Sequence, residues 1–341
     1  MRRSPLTLAA LATAALPQLD VVAARSPHHE GGDFAVASIL DSAGARWVVR
    51  CPTTPAAGAA MEGEVALLES LAGAAADGRL PFAVPAPAGF ARLLEGGRAM
   101  VYPELVGDPL EPEALTPGPH LGANLGRALA ALHELPVSLV EAAGLAVYEA
   151  EEVRRRRLAE VDAASRTGAV PRALLERWEH ALENVALWRF RATLVHGDLA
   201  PEHVLVVDDR VAAIVDWSES HVGDPADDLA WLMTAAPEDA TEAILEAYSL
   251  ARTVRGDVHL AARAALGGEL AVARWLLHGV RRGDEAVVAE ARAMLAELAE
   301  VVAGEPPIGP ERPRIQAGDS GMAQPPEPEP TPAEELSERP V

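Results

Sequence analysis

The chain of 341 residues is long enough for two lobes of about 150 residues each, and 49% of its residues are hydrophobic. Its formal net charge of −22 disfavours nucleic acids and anionic membranes as partners, because both require a basic surface. There is no lysine, so any side-chain cation that contacts phosphate must be an arginine, and the single cysteine, Cys51, indicates a reducing compartment such as the cytoplasm.

The first residues could form either a short helix or the apolar region of a signal peptide. Arg2 and Arg3 precede an apolar stretch, as in a signal peptide. Ser4 and Pro5, however, are typical of a helix start, and the apolar residues after them have helical spacing. We therefore expect a helix. No apolar run reaches the roughly 18 residues of a membrane span, so we expect no membrane association.

The elements that follow are typical of a small β-rich lobe. Residues 34–50 contain two apolar strands around a glycine-containing turn, which predicts a hairpin. A helix is expected over 61–72, strands near 82–90 and 98–102, and a connector over 101–113.

The rest of the chain is predicted to be mostly helical, with β segments at 204–207 and 212–215. Helices are expected over 121–132, 149–164, 171–189, 238–251, 257–280 and 284–302. In the second of these, Glu151 precedes Arg155 and Glu152 precedes Arg156 by four residues, which predicts solvent-exposed ion pairs.

The last segment, from residue 304 to 341, is rich in proline and contains no aromatic residue. Such a segment buries too little apolar area to offset its chain entropy, so we expect it to be disordered.

The stretch LVHGDLAPEHVLV, residues 194–206, carries residues suited to phosphoryl transfer. This reaction requires a divalent metal on the phosphate oxygens and a carboxylate that receives the proton of the alcohol. Asp198 lies in a loop after an apolar pair, and Asp216 follows a predicted strand pair. A carboxylate at the end of a buried strand is costly unless it holds a metal or a charge partner. His203, between them, is either a metal ligand or a packed, hydrogen-bonded histidine.

A second acidic cluster follows in the stretch SHVGDPADDLAWL. Asp224 and Pro225 indicate a turn that enters a helix, where Asp227 and Asp228 would meet the positive end of the helix dipole. We expect Asp228 to brace the catalytic loop, whereas Asp227 is as well explained by helix capping.

Three segments, HGDLAPEHVLV, AIVDWSESHVGDPADDLA and LGANLGRALAALHELP, resemble those of the aminoglycoside phosphotransferase-like kinases. The resemblance covers about residues 30–300. It is strongest to the macrolide 2′-phosphotransferases, because of histidine at 203 where the superfamily has asparagine, DWSE at 216–219, and LPFAVPAPAG at 80–89.

This resemblance implies an α+β, protein-kinase-like fold of two lobes. Residues 1–101 would be the nucleotide-binding lobe, 102–303 the hinge and the helical lobe with the catalytic loop and substrate site, and 304–341 a disordered tail. Asp198 would be the catalytic base, and His203 and Asp216 the Mg²⁺ ligands.

The resemblance also implies a nucleotide site in the small lobe, for GTP or ATP. Gly31 and Gly32 would approach phosphate within a short loop. The segment from Tyr102 to Leu105 would be the hinge that contacts the base.

Arg50 stands where the family's kinases carry a lysine, and its planar guanidinium makes different contacts from an ammonium. The family's ion-pair partner for this position corresponds to Glu64, with Glu62 as the alternative.

The expected activity is transfer of the γ-phosphate to a hydroxyl of an antibiotic, most closely the 2′-hydroxyl of a macrolide's desosamine, by a cytoplasmic monomer. Trp275 lies in a segment that resembles the helix lining the macrolide site, although core packing also explains it. Glu219 is a candidate partner for the amine of the sugar.

Two alternatives remain open at this stage. The acceptor could be an aminoglycoside or another small metabolite. The chain could also be a pseudokinase, since it lacks the lysine and a full glycine loop and has Glu202 where the family's catalytic loop has glycine.

Overall fold

The computed structural model of the chain describes residues 3–25, 33–118, 120–253 and 257–309. The small lobe contains strands β1 (Val21–Arg25), β2 (Phe34–Asp41), β3 (Arg46–Pro52), β4 (Gly89–Arg92) and β5 (Arg98–Pro103), and helices α1 (Pro5–Ala15) and α2 (Pro55–Ala76). The strands form one antiparallel sheet in the order β1-β2-β3-β5-β4.

Both helices of the small lobe begin as their sequences predict. Ser4 Oγ accepts a hydrogen bond from Thr7 N at the start of α1, Thr54 Oγ1 accepts one from Ala57 N at the start of α2, and a proline follows each cap. The expected N-terminal helix is confirmed. Leu8 of α1 is buried in the cluster on one side of the sheet, and α2 contributes to the main core.

The predicted strand over 82–90 is wrong for most of its length, because only β4, which starts at Gly89, is a strand there. Pro85 and Pro87 have no N–H with which to join a sheet ladder, and this explains the irregular backbone before β4.

The large lobe is mostly helical, as expected, and two small β units lie within it. Its helices are α3 (Leu121–His133), α4 (Ser138–Ala142), α5 (Ala150–Ser165), α6 (Arg172–Glu183), α7 (Leu232–Ala235), α8 (Glu238–Ala251), α9 (Leu260–Arg282) and α10 (Glu285–Val301). Its strands are β6 (Asp108–Pro109), β7 (Thr193–Val195), β8 (Val204–Val207), β9 (Arg210–Ile214) and β10 (His221–Gly223).

The β8–β9 hairpin positions the candidate site. Its two-residue loop, Asp208 and Asp209, has φ of 48° and 57°, the left-handed backbone that tight hairpins require. Strand β8 begins directly after His203, and β9 ends two residues before Asp216. The hairpin therefore returns the chain to its starting point and brings these two side chains together.

The two-lobe, kinase-like architecture matches the expectation, and we propose residue 102, near the end of β5, as the boundary between the lobes. Of the proposed tail only residues 304–309 lie within the described part of the chain. No helix among the described residues combines the length and the apolar character needed to cross a bilayer.

Candidate active site

The loop after β7 is built on His196, which is buried and neutral. Its Nε2 lies 2.9 Å from Val215 O, so Nε2 carries the proton and donates it to this carbonyl. Its Nδ1 is then an acceptor, 3.4 Å from the backbone N of Asp198. Burial lowers the pKa of His196, which favours the neutral form. His196 thus links the loop to the strand that leads to Asp216.

Gly197 permits the sharp bend between His196 and Asp198. Its φ is +85°, and a Cβ at this position would collide with Glu219 O. Only glycine combines this backbone angle with so close an approach. In the HGD sequence, His196 and Gly197 are therefore required for packing. The side chain of Asp198 has no such packing role and faces solvent.

Asp198 lies in the loop with its side chain facing solvent. Although the side chain is exposed, the walls of the neighbouring cavity remove part of its surrounding water, and this raises the pKa of Asp198. His203 and His196 oppose the change, whereas Asp216 and Glu202 add to it. A carboxylate with a raised pKa accepts a proton more readily than an ordinary aspartate.

His203 presents a free ring nitrogen to Asp216. Its Nδ1 lies 2.7 Å from the carbonyl oxygen of Asp198 and must donate to it, so Nε2 keeps its lone pair. This Nε2 lies 4.0 Å from Asp216 Oδ2. In the neutral ring, this hydrogen bond selects the tautomer whose Nε2 can bind a metal.

The other oxygen of Asp216 is held by the small lobe. Oδ1 accepts a hydrogen bond from Arg50 Nη2 at 2.6 Å and one from Ser218 Oγ at 3.0 Å, whereas Oδ2 has no hydrogen bond within the described residues. Burial raises the pKa of Asp216, but the charge of Arg50, the nearby histidines and the hydrogen bond from Ser218 together outweigh it, so the net shift is downward. Asp216 also has φ of +63°, a strained angle for a residue with a side chain.

The guanidinium of Arg50 connects the two lobes. Its Nη1 pairs with Glu64, while Nη2 pairs with Asp216. The guanidinium lies over the ring of Phe34, 3.8 Å from its centroid. Of the two predicted partners, the structure places Glu64 here, and Glu62 pairs instead with Arg98 at 2.6 Å.

Asp228 braces the loop from below, as its position in the sequence predicts. This carboxylate is fully buried and accepts hydrogen bonds from the backbone N of His196 at 2.8 Å and of Gly197 at 2.9 Å. Its Oδ2 also lies 3.1 Å from His133 Nε2, and His133 Nδ1 lies 2.8 Å from the Tyr248 hydroxyl. Burial raises the pKa of Asp228, but its hydrogen bonds outweigh that effect and the net shift is downward.

A cavity of about 400 Å³ opens beside Asp198. Glu219 lines it, as expected of a residue near the acceptor, and burial raises the pKa of this carboxylate. The structure does not bring Trp275 into this cavity: its indole stacks on His278 and faces Glu290, 3.4 Å from Oε2. The neighbouring Arg274 is the residue of α9 that lines the cavity instead.

Sequence reasoning missed the arginines of this cavity. Arg156 was expected to pair with Glu152 on a solvent-exposed face, but it lines the cavity and its guanidinium lies 4.1 Å from the ring centroid of Tyr148. No signal for this is present in the sequence, because Glu151, Glu152 and Glu160 offer each arginine of the run at 154–157 a carboxylate at helical spacing.

The predicted nucleotide contacts are only partly within the described residues. Gly31 and Gly32 lie outside them. Tyr102 is buried in β5, and burial raises the pKa of its hydroxyl. Leu105 follows β5 in a segment without regular structure, and its N–H makes no hydrogen bond to any described residue.

Comparisons with known proteins show the family of this chain. Residues 24–266 match the phosphotransferase enzyme family. Viomycin phosphotransferase of Streptomyces vinaceus is 32% identical over 227 residues, 59% of this chain and 72% of that protein. The uncharacterised protein YcbJ of Bacillus subtilis (strain 168) is 34% identical over 125 residues, which span 36% of this chain and only 40% of YcbJ.

Solved structures show the same fold. The apoenzyme of macrolide 2′-phosphotransferase MphH from Brachybacterium faecium superposes with a TM-score of 0.71 at 29% identity, over 84% of this chain and 97% of that one. The GDP complex of aminoglycoside 2′-phosphotransferase-IIIa superposes with a TM-score of 0.73 at 19% identity, over 86% and 98% of the two chains.

Proposed function

We propose that this chain, which belongs to the phosphotransferase enzyme family, transfers the γ-phosphate of GTP or ATP to a hydroxyl group of a small antibiotic. The observation that carries the proposal is the convergence of Asp198, His203 and Asp216. Asp198 borders the cavity, and the free Nε2 of His203 and Oδ2 of Asp216 face each other behind it.

Asp198 is the proposed catalytic base. The carboxylate orients the acceptor hydroxyl and takes its proton as the oxygen attacks phosphorus. The loop is fixed by His196 and Asp228, so the carboxylate is already positioned before the substrates bind.

His203 and Asp216 would hold Mg²⁺. Their free nitrogen and oxygen offer two ligands, and the described residues contain no group of three or more metal-binding side chains, so nucleotide phosphates and water would complete the shell. When bound, the metal neutralises charge on the phosphate oxygens.

Arg50, Glu64 and the hinge from Tyr102 to Leu105 are the proposed nucleotide contacts, together with Gly31 and Gly32. Arg50 is buried and held by two carboxylates, so its charge can be directed at phosphate without reorganisation of the small lobe. The unpaired N–H of Leu105 supports a role for the hinge in binding the base.

The 2′-hydroxyl of a macrolide is the proposed acceptor. The likeness to a solved macrolide 2′-phosphotransferase supports this choice, and Glu219 in the cavity offers a carboxylate to the amine of the sugar. We further propose that the enzyme acts as a monomer in the cytoplasm, where nucleoside triphosphates are available and where Cys51 remains a thiol.

The test is a turnover assay with erythromycin, kanamycin and simple alcohols, each with Mg-GTP and Mg-ATP. We expect phosphate transfer to erythromycin, and turnover of only the other acceptors would refute the macrolide proposal. Asp198→Ala should reduce kcat by about 10²–10⁴ while nucleotide binding persists. Failure of the parent to transfer phosphate to any acceptor would favour the pseudokinase alternative.

A further inference from the structure

We propose that the acceptor cavity has two chemically distinct walls, of which one binds an amine and the other binds carbonyl or carboxylate oxygens. Glu219 forms the first wall, and Arg156 and Arg274 belong to the second. This inference rests on the proposed function, because it assigns the acceptor to the cavity beside Asp198. The two walls restrict the proposed substrates to alcohols that carry both an amine and carbonyl or carboxylate oxygens.

Arg156 is the cation with spare hydrogen-bonding capacity. Its guanidinium lies over the ring of Tyr148 and makes no hydrogen bond or ion pair within the described residues. Each of its neighbours in the run contacts a carboxylate: Arg154 and Arg155 contact Glu151, and Arg157 contacts Glu160 and Asp227. Arg156 and Arg157 both line the cavity, but only Arg156, which is exposed, reaches it without a carboxylate partner among the described residues.

Tyr148 fixes the place of Arg156. Its backbone N donates to Val222 O at 2.9 Å, and its ring packs edge-on against His221 with centroids 5.4 Å apart. The aromatic face therefore supports the guanidinium without using its N–H groups. A guanidinium that is positioned by stacking, and whose N–H groups remain available, is suited to bind carbonyl or carboxylate oxygens.

Arg274 supplies a second, independent set of donors. Its Nη2 donates to Gly267 O at 3.1 Å, whereas Nη1 is buried without a hydrogen bond and lies 3.5 Å from Glu160 Oε2. Arg157 already donates two hydrogen bonds to Glu160. Burial lowers the pKa of Arg274, and the charge of Arg157 lowers it further. Three arginines, Arg156, Arg157 and Arg274, thus share two carboxylates, Glu160 and Asp227, on this side of the cavity. An oxygen of the acceptor would take the donors that remain.

Glu219 supplies the opposite charge. Its carboxylate is exposed to the cavity and makes no hydrogen bond or ion pair within the described residues, and partial loss of water together with the charge of Asp198 raises its pKa. An ammonium group on the acceptor would satisfy it and would be brought close to Asp198. We therefore expect the reacting hydroxyl of the substrate near its amine. The carbonyl or carboxylate oxygens of the substrate would lie farther away, beside the arginines of α5 and α9.

These walls separate the known classes of antibiotic acceptor by chemistry. A macrolide has one amine and several lactone and ketone oxygens, and a cyclic peptide has amide carbonyls. Kanamycin has several ammonium groups and no carbonyl, so it would place positive charge against Arg156 and Arg274. Like-charge contacts of this kind suppress binding of a wrong partner, and attractive contacts favour the correct one.

The test compares Arg156→Glu with Arg155→Glu. Both replace one exposed arginine of the same helix, but Arg155 pairs with Glu151 at 3.7 Å and does not line the cavity. Kanamycin affinity is measured by calorimetry in the presence of Mg-GDP, so that no turnover is needed. We expect R156E to bind kanamycin at least about tenfold more tightly than the parent, and R155E to match the parent. Unchanged GDP affinity shows that each variant is folded.

A second measurement uses the acceptor of the proposed reaction. Arg156→Gln and Arg274→Gln should each raise the KM for erythromycin by about tenfold, with Arg155→Gln as the control. Equal kanamycin affinities for R156E and R155E, or a parent that binds kanamycin as tightly as erythromycin, would overturn the inference. Absence of erythromycin turnover would refute the proposed reaction alone, because the kanamycin comparison still decides the chemistry of the walls.

Discussion

Replacing Arg50 by methionine should strongly destabilise the protein, because it isolates a buried charge. Glu64 is 1% exposed and Arg50 is 4% exposed, so neither group can turn to water when its partner is lost. Breaking a buried ion pair by removing one member costs about 3–5 kcal/mol, because the remaining charge is left without compensation. Asp216 also loses a partner, but it is partly exposed and water can replace the guanidinium.

The double variant Arg50→Met with Glu64→Met separates the cost of the unpaired charge from the cost of lost packing. Two apolar side chains of similar length fill the same space without a charge, and such replacements are often neutral in stability. We therefore expect the double variant to recover most of the loss. Urea denaturation monitored by circular dichroism gives the free energy of unfolding of each protein. A single variant close to the parent, or a double variant less stable than the single one, would contradict this reasoning.

The pH dependence of Arg50→Met provides a second check. Burial raises the pKa of Glu64 even beside Arg50, and removing the opposing charge of Arg50 raises it further. Above the unfolded pKa of about 4.3, the unfolded chain has released this proton while the folded chain still holds it. Unfolding then releases a proton, so stability falls as pH rises through the folded pKa. The destabilisation should be smaller at about pH 5 than at about pH 8.

Three further predictions concern the metal site and the brace beneath the loop. His203→Ala should raise the Mg²⁺ concentration needed for half-maximal activity, whereas His203→Asn should retain a ligand next to Asp216; equal metal requirements in the two variants would argue against the assignment. Tyr248→Phe should lower the free energy of unfolding by about 1 kcal/mol, because it removes one buried hydrogen bond to His133, and an unchanged urea midpoint would contradict this. The lowered pKa of Asp228 stabilises the fold above the unfolded value of about 3.9, and this contribution is lost as pH falls through the folded value; acid titration of stability should therefore show a weaker dependence in Asp228→Asn than in the parent.

The elements of the site could be predicted where a local pattern determines them. Ser4 and Thr54, each followed by proline, fix the starts of two helices through their side-chain caps. The offset between Asp198 and His203 and the position of Asp216 after a strand pair indicated a common site, because a short hairpin must bring its two ends together. Asp228 was also expected to brace the loop, although the N–H groups that it accepts belong to His196 and Gly197 and not to its own helical turn.

The cavity could not be predicted, because it is formed by distant helices whose packing angle has no local signal. Arg156 comes from α5 and Arg274 from α9, and each has a pattern typical of an ordinary exposed helix position. Trp275 was predicted to line the site, but its neighbour Arg274 does so instead. Successive residues of a helix are rotated by about 100°, so Arg274 faces the cavity while Trp275 faces α10. The sequence specifies which faces are apolar but not which neighbour each face meets.

The arginine at position 50 explains how the carboxylate of Asp216, the proposed metal ligand, is held in the absence of nucleotide. An ammonium is a single point of charge, whereas the two terminal nitrogens of a guanidinium diverge and can hold two carboxylates at once. Here one nitrogen binds Glu64 in the small lobe and the other binds Oδ1 of Asp216 in the large lobe, while Oδ2 remains free towards His203. The left-handed backbone of Asp216 is costly by itself, and this contact helps to hold it in place. One side chain therefore fixes the separation of the lobes and the orientation of the carboxylate together, so a substitution at Arg50 should affect stability and nucleotide binding in parallel.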